Sequence, residues 1–146
     1  MADKNKYSES LTKSNKQVEG LDKRLYDTIF AEVGGGPADE VAAVASVYFN
    51  RIKKQGLEKA LKGSSAYRRG SDQYKKAAKG NLNPYESLIY KRNKMIMDEL
   101  QANPELIQDF WFHENVNAFG EPPWLSETEN PEDIGRQRFY RKKGGF

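Results

Sequence analysis

Between Val41 and Phe49 the chain reads VAAVASVYF, a run whose one polar interruption is Ser46. A helix built from it is apolar on nearly every side, which makes it a core helix around which the rest must pack. Directly before it stand Gly34, Gly35 and Gly36, which stop a helix and permit positive φ. Pro37 suits the first turn of the following helix, and Asp39 and Glu40 favour its positive end. Upstream, Leu21, Leu25, Ile29 and Glu32 recur at i, i+4, i+8 and i+11, one stripe of a 3.6-residue period. The pattern predicts a helix over 21–33, a glycine break, and a buried helix over 37–53 that ends near Gln55-Gly56. The first stripe is greasy for two turns and then offers a carboxylate. A glutamate delivered to the edge of an apolar core, beside glycines that let a ligand approach, is how a general acid of raised pKa is built. The competing reading is a solvated Glu near a helix end, followed by an ordinary glycine loop.

The 146 residues support one domain with a real core, expected over 21–146, preceded by a polar arm over 1–20 that carries no helical stripe. No apolar run approaches the roughly 18 residues of a membrane span. The opening MADKNKYSESLTKSNKQ lacks the apolar centre of a secretory signal. The chain has no cysteine, which excludes disulfides and thiolate chemistry, and its single His argues against a conventional metal site. No cofactor is expected. The net charge of +3 hides segregation: 13 basic against 3 acidic residues from Arg51 to Lys94, then 10 acidic and no basic ones from Met95 to Gly135, then five basic to the end. That pattern fits either a positive face for an anionic polymer or blocks that neutralise each other across the fold.

Leu57 to Lys62 reads as a short helical turn, and Gly63 to Asn83 as a long loop with at most a short helix around Gln73 to Ala78. Tyr67 and Tyr74 stand there among Arg68, Arg69, Lys75 and Lys76, and Gln73 supplies an amide. Asn83-Pro84-Tyr85-Glu86 opens a well-capped helix whose inner face is expected to hold Leu88, Ile89, Ile96 and Leu100, with Arg92 and Lys94 toward water. Asn103-Pro104-Glu105 starts a short helix expected to bury Leu106, Ile107 and Phe110. FWFHEN suits a short strand or an extended cleft wall, Asn117 to Pro131 a stiff loop, and IGRQRFYRK a terminal strand with Ile134, Phe139 and Tyr140 facing inward.

The stretch EVGGGPADEVAAVASVYFNR resembles the SleB-type cell wall hydrolases, whose motif begins at the catalytic Glu and closes on Asn-Arg after a small-residue helix. DQYKKA at Asp72, FWFHEN at Phe110, Trp124 and IGRQRFYR at Ile134 follow in the family's order, so the resemblance spans about Leu21 to Arg141. It implies catalysis by Glu32, substrate contacts by Gln73, Tyr74, His113, Asn115, Trp124 and Tyr140, and a helix-rich α+β fold. That fold would be a lysozyme-like, lytic transglycosylase-like single domain with a small antiparallel β ribbon. The family commonly carries a second acid four residues after the first, where this chain has Gly36.

Cleaving a glycosidic bond usually takes two carboxylates, about 5–5.5 Å apart for retention or about 6.5–9.5 Å for inversion. One suffices in a lytic transglycosylase: the acid protonates the leaving oxygen, then deprotonates the C6 hydroxyl of the same N-acetylmuramic acid, which closes a 1,6-anhydro ring. Peptidoglycan is the implied partner. The rivals are a hydrolytic muramidase using Glu40, Glu114 or Glu121, a non-catalytic virion structural or binding module, and a nucleic-acid binder on the basic segment, disfavoured by the lack of a base-reading motif. The missing signal suggests a phage-borne enzyme, docked in the virion through the N-terminal arm, or a lysin held in the host cytoplasm until release.

Overall fold

A computed structural model describes residues 20–115 and 128–143. It is a helix-rich α+β fold of six helices, the second of them buried at the centre, closed on one side by a three-stranded antiparallel sheet. The predicted N-terminal arm and the segment 116–127, with Trp124 and Glu121, lie outside the described residues. Among the described residues no helix is long and apolar enough to cross a membrane.

Helix α1 (Lys23–Val33) starts where the Asp22 side chain accepts from the Arg24 amide, and it ends at Gly34, whose φ of 54° lies in the left-handed region. Helix α2 (Ala38–Gln55) is the expected core element: Val41, Ala43, Val44, Ala45, Val47 and Tyr48 are all buried. Its one polar interruption is used twice, since the Ser46 hydroxyl donates to Ala42 O and accepts the Gln108 amide at 3.0 Å. A helix with no polar face can thus bind neighbouring backbone as well as apolar side chains.

Helix α3 (Leu57–Lys62) matches the expected turn. The long loop expected over 63–83 is corrected in one respect: it holds an unexpected helix, α4 (Ser65–Arg69), before the short one expected around Gln73 to Ala78, which is α5 (Asp72–Ala78). Ser64 and Ser71 are the N-caps of those helices and accept from the Tyr67 and Tyr74 amides. Helix α6 (Pro84–Ala102) begins with the predicted capping box between Asn83 and Glu86. Of the residues expected on its inner face, Leu100 is buried, Ile96 packs against the core and Ile89 is half-buried, but Leu88 is exposed; Asn93, Met97, Asp98 and Glu99 are buried as well. Arg92, expected in water, donates to Gly36 O at 2.7 Å, and Asn93 donates to Gly34 O at 3.1 Å. Two polar side chains of α6 therefore occupy the face next to α1 and α2 because the glycine turn presents bare carbonyls there.

After a 3-10 turn (Pro104–Leu106), on which Leu106 is exposed and not buried as expected, the chain enters β1 (Phe110–Asn115). Strands β2 (Thr128–Ile134) and β3 (Gln137–Lys142) form a hairpin around Gly135-Arg136, and β3 lies between the other two. Of the expected stiff loop over Asn117 to Pro131, residues 128–131 belong to a strand and the others lie outside the described residues. Phe110 and Phe139 are fully buried with ring centroids 5.1 Å apart, fastening sheet to helices, and Ile134 and Tyr140 also turn inward. The C-terminal basic block pairs with the acidic block, Arg138 with Asp133 and Arg141 with Asp109, so part of the charge segregation is neutralised within the sheet.

Candidate active site

The end of α1 and the edge of the sheet enclose a cleft of about 320 Å³ lined by Glu32, Val33, Glu40, His113, Glu114, Arg136 and Gln137. Three carboxylates and the only histidine of the sequence meet here. Glu32 reaches the cleft because the stripe of α1 carries it there one residue before the last helical position, with the side chain 17% exposed.

The Glu32 carboxylate is held at both oxygens. Oε2 accepts a hydrogen bond from the Tyr48 hydroxyl, and Oε1 stands 3.5 Å from His113 Nε2. Burial first, then the negative charge of Glu32 and its hydrogen bond, push the Tyr48 phenol well above its ordinary range. The phenol therefore stays a proton donor. On the far side of the imidazole, Nδ1 meets Gln137 Oε1. An amide oxygen only accepts, so the ring donates from Nδ1 and turns Nε2 toward Glu32. The imidazole is braced by stacking on Phe139, centroid to centroid 5.9 Å. Glu32 Oε1 thus faces the unprotonated edge of the imidazole across 3.5 Å, within the open cleft.

Asn50 and Arg51, which close the 32–51 sequence block, bind the sheet to α2. Asn50 Nδ2 donates to Gln108 O and Phe110 O at 2.7 and 2.9 Å, and Arg51 Nε donates to Trp111 O at 2.9 Å. Burial lowers the hold of the Arg51 guanidinium on its proton, opposed by the negative charge of Glu32. The pair fixes the backbone of β1 just before His113. This sets where the imidazole stands relative to Glu32.

The two companion carboxylates are both engaged. Glu40, only 2% exposed, accepts the Arg136 amide on Oε1 at 2.6 Å. It occupies space that two glycines leave open: a Cβ on Gly36 would stand 2.5 Å from its Oε2, and one on Gly135 would stand 1.9 Å from its Oε1. The acid missing at position 36 is thus matched by a carboxylate from one turn further along, placed in the room its absence creates. Glu114 Oε2 accepts the Tyr140 hydroxyl at 2.7 Å.

Of the residues singled out from sequence, Glu32 and His113 meet in the cleft, and Tyr140 contributes through Glu114. Gln73 is exposed and lines a neighbouring cavity that also includes Glu32. Tyr74 sits apart from both: its ring packs edge-on against Tyr67, centroids 5.6 Å apart, and burial raises its phenol. Asn115 ends β1 opposite Gln137, and Trp124 lies outside the described residues. Tyr48 and Gln137 were missed. Tyr48 lies in an apolar run and reads as core filler, while Gln137 is joined to His113 only by strand pairing. Among the described residues no group of three or more His, Asp or Glu side chains is arranged to hold a metal ion.

Replacing Tyr48 with Phe keeps the ring in the core and removes the hydroxyl beneath Glu32. Stability is expected to fall by about 1 kcal/mol, and, on the expectation that Glu32 is the acid of a peptidoglycan-cleaving enzyme, turnover about ten- to hundredfold through loss of carboxylate positioning. Thermal melting and the rate of peptidoglycan release measure the two separately, and an unchanged rate would show that the hydroxyl does not position the acid. No protein-family model, no curated protein and no solved structure matches the chain.

Proposed function

We propose that this protein is a peptidoglycan-cleaving enzyme of the SleB type, on a lysozyme-like fold, acting on the N-acetylmuramic acid–N-acetylglucosamine bond. The observation that carries the reading is the environment of Glu32. It is a carboxyl at the floor of an open cleft, gripped by a buried phenol on one oxygen and facing an imidazole across the other.

In this reading Glu32 donates its proton to the glycosidic oxygen as the C1–O bond breaks. It then takes the proton from the C6 hydroxyl of the same muramic residue, which bonds to C1 and closes the anhydro ring. Atoms balance without water. Single-acid chemistry is favoured because the other carboxylates are committed elsewhere, Glu40 to the Arg136 amide and Glu114 to the Tyr140 hydroxyl. Hydrolysis is the second reading, supported by Glu40 and Glu114 lining the same cleft.

The masses of the released muropeptides separate the two. Transglycosylation predicts 1,6-anhydro ends, and fragments ending in reducing sugars would make the protein a muramidase instead. The virion remains the proposed place of action, tested by detecting the protein in purified particles.

A further inference from the structure

We propose that the glycan strand continues past Glu32 into a second arm of the groove, where the exposed ring of Tyr85 stacks on an uncharged N-acetylhexosamine residue. This inference rests on the function proposed above. A second cavity, of about 490 Å³, shares Glu32, Val33 and Arg136 with the first, so the two are continuous across the acid. A cleft that ended at Glu32 would suit a chain end. One extending to both sides of it suits a polymer cut internally.

The lining of this arm fits a pyranose. Its floor is the Gly34-Gly35 backbone over Ile89, and a Cβ on Gly35 would stand 3.1 Å from Ile89 Cδ1, so the bare glycine keeps the floor low. Tyr85 also lines it, and at 72% exposure it is the most exposed of the large apolar side chains among the described residues. The ring is mounted on the rigid first turn of α6, right after Pro84 and inside the Asn83–Glu86 capping box. A platform fixed in this way loses little conformational freedom when a ligand covers it. The C–H face of a sugar supplies an apolar partner for such a ring, and the exposed amide of Gln73 offers both a donor and an acceptor to a hydroxyl or acetamido group. Lys76 bridges Glu86 at 2.7 Å, which balances the charge on that side and favours a neutral ligand.

The test uses the full chain carrying Glu32→Gln, so that ligand is bound and not consumed, with peptide-free peptidoglycan glycan strands fractionated by length. Affinity is expected to rise with strand length. Adding Tyr85→Ala should weaken binding of the long strands about tenfold and leave the shortest unaffected. Tyr85→Phe, which keeps the ring, should restore the parent affinity. If Tyr85→Ala binds every length as its parent does, the second arm is overturned and the enzymatic reading stands. A Phe variant as weak as the Ala variant would overturn stacking. A parent that binds no strand of any length would overturn both this inference and the proposed function.

Discussion

Glu32→Gln is expected to leave the fold intact and to lower peptidoglycan cleavage by roughly 10²–10⁴-fold, the contribution of a positioned general acid. The amide is nearly isosteric, and its oxygen can still accept from the Tyr48 hydroxyl. The Tyr48–Glu32 contact under the cleft should therefore survive, and the melting temperature should stay within a few degrees. What is lost is the proton. A Gln cannot deliver one to a leaving oxygen or recover one from a C6 hydroxyl, and His113, 3.5 Å away, would have to do so from behind the site. A residual activity that persists in Glu32→Gln and disappears on adding His113→Ala would assign the imidazole that reserve role.

Gly135→Ala is expected to be the most damaging single change to stability. The residue has φ of +62°, and a Cβ there would stand 1.9 Å from Glu40 Oε1 and 2.7 Å from its carboxyl carbon. The left-handed backbone costs a non-glycine residue about 1–2 kcal/mol, and forcing the buried carboxylate aside adds about 1–3 kcal/mol, for a total of about 2–5 kcal/mol. Displacing Glu40 also frees the Arg136 amide and loosens the hairpin over the cleft, so activity should fall with the melting temperature. Gly80→Ala is the control: φ is +71° but nothing lies within 4 Å of the added atom, leaving only the backbone cost. If the two variants melt alike, the Glu40 carboxylate does not hold the hairpin.

The central helix, the glycine break and the delivery of Glu32 were legible because they depend on local pattern. An apolar run with no wet face has one place to go, and a 3.6-residue stripe ends where its last turn ends. His113 was legible too, but Tyr48 and Gln137 were hidden for the opposite reason. Tyr48 is apolar in its ring and polar only at its tip, and the pattern registers the ring. Gln137 enters the site through strand pairing, while Glu40, read as a candidate second carboxylate, is seated in room left by the nearby Gly36 and the distant Gly135. Helix α4 was not legible, since a helix that short has too few turns to show a period. Leu88 and Leu106 were assigned inward on hydrophobicity alone. On α6 the carbonyls of Gly34 and Gly36 engage Asn93 and Arg92, so polar side chains share the inner face with Ile89, Ile96 and Leu100. The charge blocks were ambiguous in sequence, and the sheet shows one resolution of them, with Arg138 and Arg141 spent on Asp133 and Asp109.

The central claim is that Glu32 cuts the glycan of the bacterial wall. Its most direct test is to incubate purified sacculi with the native protein and with Glu32→Gln at equal concentration, and to follow release of soluble glycan. The account predicts steady release of anhydro-ended fragments by the native protein and none above background by the variant. Equal release by both, or sacculi left whole by the native protein, would contradict it.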